Sequence, residues 1–87
     1  MRAVITVIGK DMVGILANVS AGCADANANI IEVTQSVLRE FFCMVMLIDA
    51  SDMNVSIRDL EEKLRGRADG MEIHVMHEDI FNSMHRV

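Results

Sequence analysis

The apolar residues of this chain change their spacing from one segment to the next, and this succession limits the folds that the chain can adopt. Residues 3–8, AVITVI, form a continuous β-branched run that predicts a buried strand. Residues 14–28 then place Ile15, Val19, Cys23 and Ala26 on one side of a helix. The later segments are predicted to be a strand at 30–38, a strand at 41–49, a helix that begins at Asn54 or Ser56 and ends at Gly66 or Gly70, and a strand at 71–77.

The order strand, helix, strand, strand, helix, strand is that of the ferredoxin-like βαββαβ fold. We therefore predict an α+β domain over residues 1–78, with a four-stranded antiparallel sheet and both helices on one face. Right-handed crossovers place the first and third strands in the centre. Residues 79–87 are predicted to form a short C-terminal helix that packs on the domain or on a partner subunit, because its apolar residues have helical spacing: Ile80, Phe81, Met84 and Val87.

The predicted strand at 41–49, FFCMVMLID, is apolar on both of its faces. Phe42, Met44 and Met46 alternate with Cys43 and Val45 along it. Two helices cover only one face of the sheet, so a single copy would expose a large apolar patch. A chain of 87 residues of which 52% are hydrophobic also has a small core. We expect the tail, a second subunit or both to cover the patch, and therefore a homodimer or higher homo-oligomer.

The charge of the chain argues against nucleic acid and anionic membranes as partners. Its 13 acidic and 8 basic residues give a net charge of −5, and no basic cluster is present. Trp and Tyr are absent, so aromatic platforms for bases are missing. No apolar segment approaches the roughly 20 residues that span a bilayer. We expect a cytoplasmic protein with reduced thiols at Cys23 and Cys43, a single disulfide between them being the alternative.

The junction between the first strand and the first helix, GKDMVGIL, has two interpretations. Gly9 is expected to turn the chain with a positive φ, and Asp11 to accept hydrogen bonds from nearby backbone N–H groups. Gly14 would let a ligand approach the first helical turn, whose N–H groups and dipole favour a carboxylate. A phosphate loop is disfavoured, because Gly14 is followed by Ile15 and Leu16 rather than Lys and Ser or Thr. From the residues alone, Asp11 as a simple helix cap and Gly14 as a packing residue remain the alternative.

The stretch VIGKDMVGILANVSAGCADANANIIEVTQSVL resembles the opening of an ACT domain. The family's Asp-x-x-Gly-Ile/Leu-Leu/Val motif falls on Asp11, Gly14, Ile15 and Leu16, and its Asn-Ile pair falls on residues 29–30. The whole chain is similar to small stand-alone ACT proteins, including the closing residues Ile80, Phe81 and Met84. Val13 replaces a Pro that many members carry, which removes rigidity from the loop but no N–H donor.

This resemblance implies a regulatory module that binds an amino acid or a similar small metabolite between two subunits. Residues 11–16 of one subunit would shape the pocket and donate to a carboxylate, and Asn29 of the neighbour would accept from an amino group. The ligand-binding residues carried over by position are Asp11, Met12, Val13, Gly14, Ile15, Leu16, Asn29, Ile30 and Ile31. The alternative is an oligomerisation or interaction module that regulates a partner enzyme without a ligand, as in regulators of glycine cleavage and the amino-terminal domain of formyltetrahydrofolate deformylase.

Catalytic and metal sites are disfavoured by the spacing of the reactive residues. His74 and His77 are three residues apart, so on a strand they point to opposite faces, and His85 lies on the tail. Cys43 is predicted to lie mid-strand in the core, which suits a reactive thiolate poorly. Acylphosphatases of this fold use an Arg in the first loop, where this chain has only Lys10. We expect no enzymatic activity, no metal and no cofactor.

Overall fold

The computed structural model of the chain describes residues 1–10 and 14–84, which form one antiparallel sheet and three helices. The sheet has the strand order β2-β3-β1-β4, so the first and third strands are central, as predicted. The arrangement confirms the ferredoxin-like α+β fold. The elements are β1 (Arg2–Lys10), α1 (Ile15–Asp25), β2 (Asn29–Leu38), β3 (Phe41–Asp49), α2 (Ile57–Arg67), β4 (Glu72–His77) and α3 (Glu78–Met84).

The core lies between α1, α2 and one face of the sheet, which we call the helix face. Alternate residues of β1 and β3 point into it because successive side chains of a strand leave opposite faces. Leu60 and Leu64 from α2 and Val19 from α1 complete it, all fully buried. The largest sheet side chains in this core are Ile5, Met44, Met46, Ile48 and Ile73.

The ends of the helices follow local chemistry. α1 ends at Asp25, three residues before the predicted limit, and Asn27 then adopts a left-handed φ of 59°, which Asn tolerates well. Ser56 is the N-cap of α2, and its side chain accepts a hydrogen bond from the Asp59 N–H at 3.1 Å. Gly70, with a φ of 82°, follows the end of α2. Within the described ranges, no helix is both long and apolar enough to cross a bilayer.

Gly9 differs from its prediction, because β1 continues through it to Lys10. Its backbone is that of a strand, and the positive φ occurs instead at Gly14, with a value of 85°. A Cβ at Gly9 would lie 2.4 Å from the Met71 sulfur. Gly9 therefore allows close packing against Met71, which precedes β4, and the predicted turn at Gly9 was wrong.

The second face of the sheet, the open face, carries α3. Val4, Thr6 and Val45 lie on this face, and Phe81 of α3 lies beside Val4 and Val45. Cys43 is half-buried here, so its predicted place in the core was wrong. Both faces of β3 are apolar, so apolar residues occur at every position of 41–48 rather than at every second one. The sequence pattern therefore does not show which face the helices cover. Several apolar side chains on or beside this face remain largely exposed: Ile8, Leu38, Phe41, Ile80 and Met84.

The two faces of β1 predict a contrast between two isoleucines. Ile5 is fully buried on the helix face, whereas Ile8 is 47% exposed on the open face. Ile5→Ala should lower the free energy of unfolding by about 2–5 kcal/mol, since it removes buried methyl groups and leaves a cavity. Ile8→Ala should lower it by less than about 1 kcal/mol. Urea denaturation of both variants measures the difference, and equal losses would contradict the assignment of the faces.

The buried thiol of Cys23 predicts a loss of stability in alkali. Burial raises the pKa of this thiol from 9.0 to about 11. The unfolded chain releases the proton at its ordinary pKa while the folded chain retains it, so the free energy of unfolding should fall as the pH rises from about 9 to about 11. Urea denaturation over this range should show a weaker fall in Cys23→Ala than in Cys43→Ala, the matched control. The same slope in both variants would contradict the prediction.

Candidate functional site

The first half of the predicted site lies at the N-terminus of α1. Gly14 is the N-cap residue, and its carbonyl accepts a hydrogen bond from the Asn18 N–H at 2.9 Å. Among the described residues no side chain caps this helix, and its first turn carries no acidic side chain. The N–H groups of the first turn, for which no described side chain is a partner, and the positive end of the dipole suit an anion. Asp11, Met12 and Val13 lie outside the described residues.

Ile15 and Leu16 point in different directions from this first turn. Ile15 is buried in the core, where it anchors the start of α1. Leu16 is 39% exposed and is a large apolar side chain that this turn presents to the surface. Of the two predicted pocket residues, Leu16 is thus the one whose side chain a ligand beside Gly14 would reach.

The second half of the predicted site lies where β2 begins. Asn29 pairs with Asp49 of β3 and is exposed. The ladder between β2 and β3 shifts register between Ile30 and Glu32, so Ile31 has no opposing residue. Ile31 is 50% exposed and Ile30 is 38% exposed, which leaves an apolar surface next to the Asn29 amide.

Asp49 is a neighbour of Asn29 that the sequence analysis did not identify. Its Oδ1 accepts hydrogen bonds from the Ser51 hydroxyl at 2.6 Å and from the Ser51 N–H at 2.9 Å. These bonds hold the pKa of the Asp49 carboxyl below its usual range. The Asp-x-Ser sequence at the end of an apolar strand is the local signal for such a turn. Asp49 therefore places a fixed negative charge beside Asn29.

Within one copy the two halves lie at opposite ends of the sheet. Lys10, which leads toward α1, pairs with Phe41, and Phe41 pairs with Leu38 at the end of β2. Asn29, at the start of β2, is level with Asp49 and Arg2. The eight residue steps of β1 between these levels correspond to roughly 26 Å. A single copy therefore does not bring the two halves together.

Two cavities lie on the open face beneath α3, on either side of Phe81. The larger, of about 540 Å³, is mainly apolar and includes the polar groups of Thr6 and His74. The smaller, of about 200 Å³, contains Glu32 and also Glu78, whose carboxylate pairs with Arg2 at 2.6 Å. None of the predicted site residues that the structure describes lines either cavity. The cavities are therefore separate from the ends of α1 and β2.

The histidines lie where their spacing places them. His74 is opposite Thr6 on the open face, and His77 is opposite Ala3 on the helix face. His74 Nε2 lies 3.3 Å from a Glu72 carboxylate oxygen, and His77 Nδ1 accepts a hydrogen bond from the Asp79 N–H at 3.1 Å. His85 lies outside the described residues. The two described histidines are thus engaged separately, on different faces.

Comparisons with known proteins identify the family. The family model of the ACT domain matches residues 2–78. A UPF0237 protein of Methanopyrus kandleri is 49% identical over 88 residues, covering 99% of this chain and 98% of that protein. The structure of an ACT domain protein from Streptococcus pneumoniae matches with a TM-score of 0.78 and 34% identity over 93% of both chains. A formyltetrahydrofolate deformylase from Pseudomonas putida shares the fold, with a TM-score of 0.78 and 14% identity over 91% of this chain and 29% of its own. The chain belongs to the ACT domain family.

Proposed function

We propose that the protein is a regulatory module that binds an amino acid or a similar small metabolite at the interface between two copies of itself. The observation that carries this proposal is the separation of the two half-sites. The start of α1 and the pair Asn29 and Asp49 lie at opposite ends of the same sheet. They can act on one small ligand only if each comes from a different copy.

The direction of the backbone groups indicates how a second copy would pair. In an antiparallel sheet, alternate residues point both their N–H and C=O to the same side of the strand. The Val75 N–H and the Ile73 carbonyl bond to side chains of α2. The backbone groups of these two residues therefore point away from β1. The same alternation can be followed along the strand pairings from β4 to β1, β3 and β2. On β2, the residues whose backbone N–H and C=O point outward from the sheet edge are Val33, Gln35 and Val37.

Pairing two β2 edges about a two-fold axis would bring the half-sites to the same end. The strands then run antiparallel, so the start of one β2 lies beside the end of the other. Leu38, at the end of β2, is level with Lys10, which leads into α1, and α1 itself packs beside β2. Asn29 of the second copy would thus approach the end of the molecule where Gly14 begins α1.

The charges at the two half-sites suit a zwitterion. The ligand carboxylate would face the free N–H groups at the start of α1, where the helix dipole is positive. The ammonium would face the Asn29 amide oxygen and the Asp49 carboxylate, which its low pKa keeps ionised at neutral pH. Leu16 and Ile31 would contact the ligand side chain, since both are exposed beside these polar groups.

Membership in the ACT family supports a regulatory role, because ACT domains generally regulate through small-molecule binding. The alternative is an interaction module without a ligand, and melting temperatures separate the two. A ligand that binds only the folded protein raises its melting temperature by mass action. An interaction module would show no rise with any small molecule.

Isothermal titration against the twenty amino acids tests the proposal. At least one amino acid should bind. Asn29→Ala removes the acceptor for the ammonium, whereas Gly14→Ala places a methyl group where the ligand would approach and strains a backbone with a φ of 85°. Each should weaken the affinity by about tenfold or more. Gly70→Ala is the control for Gly14→Ala, because both glycines have a positive φ and open space around them. Asn82→Ala controls for Asn29→Ala. Absence of heat with every amino acid, on folded dimer, would contradict the proposal.

The role given to Asp49 predicts a charge-specific effect. Asp49→Asn removes the negative charge but keeps the shape, so the affinity for an amino acid should fall about tenfold or more. The affinity for the corresponding hydroxy acid, which lacks the ammonium, should change less. Equal changes for the two ligands, measured by titration, would contradict a contact between Asp49 and the ammonium.

A further inference from the structure

The edge of the sheet at β4 is already occupied by side chains of α2. Glu61 Oε1 accepts a hydrogen bond from the Val75 N–H at 3.0 Å, and Arg65 Nε donates to the Ile73 carbonyl at 3.2 Å. Both bonds are partly buried. They satisfy the carbonyl and the N–H on either side of His74, which are two of the backbone groups that another strand would use.

Glu61 and Arg65 act together because they are one helical turn apart. Their carboxylate and guanidinium lie 3.6 Å apart. One supplies an acceptor and the other a donor, as the C=O and N–H of a neighbouring strand would. Each is charged, and charge-assisted hydrogen bonds are stronger than those between neutral groups. We call this pair the edge cap.

The other edge of the sheet, β2, differs in its backbone partners. The outward backbone groups of β2 belong to Val33, Gln35 and Val37. In the part of the chain that the structure describes, no side chain bonds to them. The ten residues of β2 are exposed apart from Val33, which is partly buried. The two edges therefore differ in what they offer to another chain.

We infer that the edge cap closes β4 to strand addition, so that copies of this chain pair through β2 and assembly stops at two. The number of chains rests on the β2 pairing proposed above, whereas the closure of β4 does not. A sheet with two open edges can add copies at both, and repeated addition gives a continuous sheet. Pairing through one edge about a two-fold axis closes after two chains.

Removing the cap tests this inference. The double variant Glu61→Ala with Arg65→Ala should form species larger than two chains as its concentration rises, whereas the wild type should not. Sedimentation velocity measures the sizes. In dilute solution, the Val75 amide should exchange with deuterium about tenfold faster, because its acceptor is gone. Glu62→Ala with Lys63→Ala is the matched control on the exposed face of α2, and it should behave as the wild type.

Gln35→Pro separates edge pairing from unfolding. Because the Gln35 N–H points away from β3, proline removes a donor that only a second copy would use. Gln35→Pro alone should give single chains. Combined with loss of the cap, it should give pairs joined through β4, whereas aggregates from unfolding would not stop at two.

Failure of the proposed β2 pairing and failure of the inferred β4 closure would give different results. A wild type that remains a single chain would overturn the proposed β2 pairing, and removal of the cap should then still produce pairs through β4. A cap-less variant that keeps the wild-type assembly at every concentration, with unchanged circular dichroism, would overturn the closure of β4.

Discussion

The structure depends on a central strand that is apolar on both faces. β3 lies between β1 and β2, with Met44 and Met46 under the helices and Val45 on the open face. Since apolar surface on either side is unfavourable in water, both faces must be covered. α1 and α2 cover one face, and α3 lies on the other with Phe81 against the sheet. The ion pair between Arg2 and Glu78 joins the start of α3 to β1.

The crossover topology determines where a ligand could bind. Because α1 carries the chain from the end of β1 to the start of β2, its N-terminus lies at one end of the sheet and Asn29 lies at the other. The same topology makes β2 and β4 the edges. Side chains of α2 bond to two outward backbone groups of β4, whereas no side chain of the described residues bonds to those of β2. The edge that would complete the site is thus the edge that is free to pair.

Local chemistry made much of the fold predictable. The element order follows from the spacing of apolar residues, and the ends of the helices at Asn27 and Ser56 follow from the hydrogen bonds and φ values that these side chains favour. The positive φ was predicted at Gly9 but occurs at Gly14, because Gly9 packs against Met71, which is 62 positions later in the chain. Contacts of this kind have no local sequence signal. The prediction that Cys43 lies in the core was wrong for a related reason. Both faces of β3 are apolar, so the sequence pattern does not show which face the helices cover.

Less of the candidate site was predictable. The residues carried over from the family fall at the start of α1 and the start of β2, but their separation within one copy appears only in the register of the sheet. Asp49 was missed because its role depends on a strand pairing with Asn29 and on the turn formed by Ser51. The edge cap was also missed. Glu61 and Arg65 have the spacing of an ordinary exposed ion pair, and only the position of β4 beside α2 gives them backbone partners.

A site divided between two copies couples ligand binding to assembly. A ligand shifts an equilibrium only by its difference in affinity for the two states. Here a single copy would offer either the helix N-terminus or the pair Asn29 and Asp49 to a given ligand, and a pair of copies would offer both. The difference in affinity would then be the contribution of the second half-site, and pairing would become more favourable as the ligand concentration rises. Closure of the β4 edge would keep that response specific, because strand addition at β4 would join copies without completing any site.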